Sequence, residues 1–209
     1  MMHDTWEPSM KRLLLLATAA ITLGTACAAS INLDDADAAL ERKDYATALP
    51  LYRRAADHGD SYGQLQVAGF YFHGYGVAQD YRQAVNWYKL SAEQGEPLAQ
   101  FALGIQYSKG GGVAQDHAES VKWYRLAAAQ GFERAQHNLS MKYLRGEGVG
   151  QDPIRAYMWA DLASATGSKE STVLRDYVAG QMQPVQIAEA QTMAQECRAK
   201  KLMGCTELP

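Results

Sequence analysis

Three tryptophans, Trp87, Trp123 and Trp159, stand 36 residues apart, and so do Gly59, Gly95, Gly131 and Gly167 and the dipeptides Gly76-Val77, Gly112-Val113 and Gly148-Val149. Asp80, Asp116 and Asp152 keep the same register, as do Tyr71, Tyr107 and Tyr143, and no insertion interrupts the count. A fixed period of this kind confines the chain to one type of architecture. A unit so short cannot bury its apolar face alone, so like units must stack and share a continuous core.

Within each unit the pattern is that of two helices. In the first, Ala99, Leu103, Gly104 and Tyr107 recur at helical spacing, matched by Gly63, Val67, Ala68 and Tyr71 and by Ala135, Leu139, Ser140 and Tyr143. Gly74, Gly110 and Gly146 stop it, since glycine enters the left-handed C-cap conformation without steric cost. The second helix opens at Asp80, Asp116 or Asp152, whose carboxylate accepts the free N–H groups of the first turn, and Pro153 fits the first helical position behind such a cap. Ala84, Trp87, Tyr88 and Ser91-Ala92 then form one stripe, repeated by Trp123, Tyr124 and Ala127 and by Ala156, Trp159 and Ala163. The small residues let neighbouring helices come close, and each tryptophan can bury roughly 150 to 250 Å². All three are assigned to the core rather than to stacking on a cofactor or a sugar.

The two ends depart from the pattern. Residues 44–59 align with second helices only, carrying Leu51 in place of tryptophan and Pro50 in mid-helix, where proline is expected to kink or delay the helix. Residues 32–43 are expected to supply the missing partner and an N-terminal cap. Residues 169–182 lose the register, with Ala179 standing for Tyr143 and Arg175 for Leu139, so the stack closes there. Pro184 then restarts a helix.

Leu13 to Leu23 is apolar over 11 residues behind Lys11-Arg12, the layout of a secretory signal peptide, and is too short to span a bilayer. Asp4 and Glu7 are foreign to the basic start of such a signal, which makes Met10 the expected initiator. Ala26 and Ala28 suit a signal peptidase, giving a processed chain from Ala29 that is exported to the periplasm or secreted. Cys27 offers an alternative, cleavage before it and attachment of a lipid, although Gly24 occupies the place where such signals carry a leucine-like residue. Cys197 and Cys205 then remain, an even number in an oxidising compartment, and a disulfide between them closes a short loop at the end of the last helix.

The formal charge of −3, from 20 Lys and Arg against 23 Asp and Glu, lacks the excess of cations that binding a phosphate backbone requires. Nucleic acid is excluded as a first expectation. The histidines at 3, 58, 73, 117 and 137 form no H-E-x-x-H, and no cysteines have zinc-finger spacing. The glycine turns match neither a P-loop nor a dinucleotide fingerprint, and no S-x-x-K occurs. No catalytic residue, metal or cofactor is expected.

Units such as EPLAQFALGIQYSKGGGVAQDHAESVKWYRLAAAQG, residues 96–131, resemble the Sel-one-like repeat, a relative of the tetratricopeptide repeat. The motifs A-x-x-x-L-G-x-x-Y, G-x-G-V-x-x-D and A-x-x-W-Y carry the resemblance over residues 44–168. The tetratricopeptide repeat itself fits less well, with its period of about 34 residues and its tryptophan in the first helix. The resemblance implies an all-α, right-handed α-α superhelical solenoid of helix-turn-helix repeats. It also implies a division into a signal peptide (1–28), repeats with an N-terminal capping helix (29–168) and a C-terminal helical cap with a disulfide (169–209), the helix after Pro184 resembling the cap of exported members. The function implied is that of a non-enzymatic scaffold or adaptor of the cell envelope that holds another protein or a peptide. A binder of peptidoglycan or envelope peptide is one alternative. Another is a β-lactam-binding or β-lactamase-like protein of the cysteine-rich branch, whose eight-residue cysteine spacing Cys197 and Cys205 share. That branch carries such a pair in every repeat, where this chain has Ala92 with Gln100 and Ala128 with Gln136.

First helices of such a solenoid line a concave wall. Residues on them outside the Ala/Leu/Tyr pattern are the candidates for partner contact: Gln66, Phe70 and His73, then Gln106 and Lys109, then Asn138, Lys142 and Arg145, with Phe101 and His137 at the edge. His73, Lys109 and Arg145 share one repeat position and form a cationic strip suited to an acidic partner segment. The same three side chains also suit the last turn of a helix, where a positive charge meets the carbonyl end.

Overall fold

The computed structural model describes residues 33–200 together with Leu202 and Cys205. The expected signal peptide, Met10, the Ala26 and Ala28 cleavage site, Cys27 and Asn32 lie outside the described residues. Among the described residues there are ten helices and no strand. In chain order they are α1 (Asp34–Glu41), α2 (Tyr45–Asp57), α3 (Ser61–His73), α4 (Tyr81–Glu93), α5 (Pro97–Lys109), α6 (His117–Ala129), α7 (Glu133–Arg145), α8 (Pro153–Ser164), α9 (Lys169–Ala179) and α10 (Pro184–Ala199). Each of the first eight packs on the next, which makes an all-α repeat solenoid with α3, α5 and α7 as first helices and α4, α6 and α8 as second helices.

Local chemistry sets the boundaries. Gly74, Gly110 and Gly146 adopt φ of 73°, 78° and 70° at the ends of α3, α5 and α7. The carboxylates of Asp80, Asp116 and Asp152 accept first-turn N–H groups of α4, α6 and α8. Between these points the same loop is built three times. The N–H of each aspartate donates to the carbonyl of Tyr71, Tyr107 or Tyr143 at 2.8 to 2.9 Å. The preceding Gln79, Gln115 or Gln151 donates its amide to Phe72, Ser108 or Leu144, satisfying a carbonyl at the helix end.

A second set of glutamines clips each second helix to the next first helix. Buried Gln64, Gln100 and Gln136 donate to the carbonyls of Ala56, Ala92 and Ala128 eight residues earlier, at 3.1 to 3.3 Å. Gln94 and Gln130 in turn donate to the side-chain oxygens of Gln64 and Gln100. The places where the cysteine-rich branch is expected to carry a disulfide hold a buried amide hydrogen bond in this chain.

Two expectations are corrected. Helix α2 begins directly behind its Asp44 cap and runs as one helix through Pro50, so the expected delay does not occur. Pro50 lies on the exposed face, where water can serve the carbonyl left without a donor. The tryptophans, expected to be equivalent, are not. Trp159 is 1% exposed, whereas Trp87 and Trp123 are half-buried, and Trp87 carries the Arg53 guanidinium 4.8 Å above its ring. The difference lies in their neighbours: α4 and α6 pack chiefly on two helices each, while α8 packs on α7, α9 and α10.

The last helix therefore folds back on α8 instead of continuing the stack over α9. Ala190, Ala194 and Cys197 of α10 join the core that contains Met158 and Trp159, and Arg198 reaches Asp161 at 2.6 Å. Cys197 is joined to Cys205 by a disulfide, with the Cα atoms 5.2 Å apart and both side chains buried. A cross-link over so short a loop contributes about 2 to 3 kcal/mol. Reduction with dithiothreitol is expected to lower the unfolding free energy by that amount in urea titration, and an unchanged midpoint would mean that the bond does not hold α10 in place.

Candidate functional site

The face of the first helices that looks away from the second helices is furrowed. Four concavities run along it, and the same four register positions of every first helix line them. They are Leu65, Gln66, Gly69 and His73 on α3, then Phe101, Ala102, Ile105 and Lys109 on α5. On α7 they are His137, Asn138, Met141 and Arg145, and at the last step Val173, Leu174, Tyr177 and Gln181, the first three on α9. Positions i, i+1, i+4 and i+8 share one side of a helix, so a single stripe per unit forms the wall. Side chains on this stripe change from unit to unit, whereas core positions such as that of Val67, Leu103 and Leu139 hold to aliphatic residues. Leu65, Phe101 and Leu174 of the stripe reach into the core, and the rest of it is at least partly exposed.

Seven of the ten expected contact residues lie on it: Gln66, His73, Phe101, Lys109, His137, Asn138 and Arg145, of which Phe101 is buried at its edge and shared with the core. The other three, Phe70, Gln106 and Lys142, occupy one repeat position and are 1%, 5% and 5% exposed, which corrects their assignment to the open wall. They stand seven residues after Gly63, Ala99 and Ala135, and i+7 returns a helix to the same face. The signal was in the sequence, hidden by a glutamine and a lysine in a core register.

Lys142 is buried because its ammonium is served from within. It donates to Ser108 Oγ at 2.9 Å and to Glu147 Oε2 at 2.9 Å, and lies 3.1 Å from His117 Nδ1. The hydrogen bond from Lys142, reinforced by its charge and by Arg145, holds the Glu147 carboxyl below the usual carboxylate range. Glu147 was not foreseen. Its only signal is that it occupies the variable place, shared with Tyr75 and Gly111, inside an otherwise repeated glycine turn.

Lys142 and Glu147 lie at one concavity of about 400 Å³, with Lys109 and Arg145 exposed beside it. Asn138 also lines it and donates to the Tyr124 hydroxyl at 3.1 Å. The expected cationic strip is thus brought together for Lys109 and Arg145 only. His73 lies in a separate concavity at α3, stacked on Tyr75 at 4.9 Å. Farther along, Met141, Leu144, Val173, Leu174 and Tyr177 line an apolar concavity of about 560 Å³, with Val173 68% and Tyr177 61% exposed. Because α10 covers α8 and not α9, nothing in the described residues caps this end of the wall.

The polar cluster between α7 and α9 does not assemble a nucleophile. Ser171 is fully buried and donates its proton to Glu133, with His137 Nδ1 3.2 Å away. A serine placed between a carboxylate and an imidazole lacks the base-to-orienter order that activation requires. Among the described residues no group of three His, Cys, Asp or Glu side chains can hold a metal ion, and no helix is long and apolar enough to cross a membrane.

Comparison with known proteins agrees with this architecture. The family model of the Sel1 repeat matches residues 38–60, 61–96, 97–132 and 133–168. A crystal structure of a Sel1 repeat protein from Oxalobacter formigenes is similar at 35% identity and a TM-score of 0.56, over 60% of this chain and 94% of that one. The structure of c5321, a protective antigen present in uropathogenic Escherichia coli strains and displaying an SLR fold, is similar at 29% identity and a TM-score of 0.50. That likeness covers 78% of this chain but only 44% of the antigen. No curated protein sequence matches the chain. The four family matches together span more than half of its length, each junction between them falling at the turn between a second helix and the next first helix, and the chain belongs to the Sel1 repeat family.

Proposed function

We propose that this protein is a non-enzymatic scaffold that holds a partner protein along the exposed wall of its first helices, in a compartment outside the cytoplasm. Sel1 repeats generally act as protein-interaction scaffolds. The observation that carries the reading here is the stripe of four register positions per unit, which lines every concavity described above. The disulfide supports the compartment, since such bonds persist where glutathione does not reduce them. On this reading residues 1–28 are the export signal, residues 29–168 the working solenoid and residues 169–209 its closing cap.

A photo-crosslinking amino acid placed at Met141, in the wall, is expected to capture a defined partner in intact cells. The same residue at Leu126, exposed on α6 of the opposite face, is expected to capture none. Equal adducts from both positions would remove the wall from the mechanism. Amino-terminal sequencing of the protein recovered from the periplasm is expected to begin at Ala29, and a full-length chain retained in the cytoplasm would refute the compartment.

A further inference from the structure

The wall is not uniform, and its chemistry near α7 selects a partner. Around one concavity stand three cations, Lys109, Lys142 and Arg145, against the single carboxylate of Glu147. Lys142 is already engaged with Ser108, Glu147 and His117, so the side chains with capacity left are the two exposed ones. Lys109 forms no ion pair among the described residues, and Arg145 reaches Glu147 only at 3.6 Å, with more than half of its side chain in water. One helix farther on, the apolar concavity shares His137, Met141 and Arg145 with the cationic one, so the two are continuous. Glu170 is the only carboxylate lining it, and its strongly exposed Val173 and Tyr177 have no cover among the described residues.

We infer that the wall between α5 and α9 binds an extended peptide segment of a partner protein by two anchors. One is an Asp or Glu side chain set between Lys109 and Arg145; the other is a large apolar side chain set against Met141, Val173 and Tyr177. This rests on the scaffold reading above and adds the chemistry of its ligand. Each anchor alone binds weakly or without register. An exposed ion pair gains little in water, and the apolar concavity gives no register to a chain sliding along it. Their spacing follows from the fold: the two concavities share His137, Met141 and Arg145 and lie on either side of α7, a helix roughly 10 Å across, and an extended chain advances about 3.3 Å per residue. The acidic and apolar residues are therefore about three positions apart.

The test is selection from a display library of random dodecapeptides, tethered through their C termini so that no free terminal carboxylate is offered. The full chain is the bait, beside the variants K109Q/R145Q and V173S/Y177S. All four side chains are exposed, and an unchanged far-UV circular dichroism spectrum verifies each fold. Peptides selected by the unaltered chain are expected to carry Asp or Glu three positions from a large apolar residue. K109Q/R145Q is expected to bind those peptides about tenfold or more weakly and to select without acidic preference. V173S/Y177S is expected to keep the acidic preference and lose the apolar one. Selected peptides without an acidic residue, acidic preference surviving in K109Q/R145Q, or no peptide enriched at all would each overturn the inference. A partner crosslinked at Met141 in cells would then leave the scaffold reading standing, with a folded surface in place of a peptide.

Discussion

Trp159→Ala is expected to lower the free energy of unfolding by about 3 to 5 kcal/mol, the cost of emptying a fully enclosed aromatic site, and Trp87→Ala by about half as much. The two residues hold the same place in the repeat and differ in enclosure. Trp159 is 1% exposed on a helix that touches three others, so its removal leaves a void that α7, α9 and α10 cannot all close at once. Trp87 sits at the seam between two core clusters, half in water, and its contact with Arg53 is partly replaced by solvent when the ring goes. Urea titration followed by circular dichroism measures both. Because units in a solenoid support only their neighbours, the Trp159 variant should also broaden the transition by melting the C-terminal units first. Equal losses from the two variants would show that α10 does not cover α8 in solution.

Gly148→Ala is expected to cost about 3 kcal/mol or more, whereas Gly150→Ala, two residues away, is expected to stay within about 0.5 kcal/mol. Gly148 has a φ of 77°, and a Cβ there would fall on the carbonyl of His117 and 2.6 Å from the nitrogen of Ala118. Those are backbone atoms at the start of the preceding second helix, so no rotamer change relieves the clash. Gly150 has no atom within 4 Å of the same substitution. Gly112 meets the Tyr81 carbonyl in the same way, and Gly76 meets the Cβ of Tyr45 at 2.9 Å. The recurrent glycine of the turn is thus a contact between successive units as well as a bend within one. Thermal unfolding of the pair of variants checks this, and a near-neutral Gly148→Ala would place the turn farther from α6.

Much of the fold is written in local chemistry. The aspartate caps, the left-handed glycines and the 36-residue register act within a few residues of themselves, and each sits where the pattern puts it. The wall was legible as a face but not as a list. Gln66, Lys109 and Arg145 could be placed from helical spacing, but Gln106 and Lys142 look like surface residues and are buried. Lys142 is tolerated inside because Ser108, 34 residues earlier, and Glu147, across the turn, accept hydrogen bonds from its ammonium. An ammonium can be buried when its hydrogen bonds are met, and nothing within its own helix announces that they are.

From the amino-acid order alone came the helices, their ends, the stacking and the family, because each depends on contacts between residues close in the chain and repeats four times over. What the three-dimensional arrangement alone decided is which copies of a repeated residue differ. The turn of α10 back onto α8 seals one tryptophan and leaves the wall open at α9. The approach of α5, α7 and the Glu147 turn gathers charges into one concavity and leaves His73 outside it. Both outcomes depend on which side chain of another unit comes alongside, and a period, by treating every unit as the same, carries no record of that.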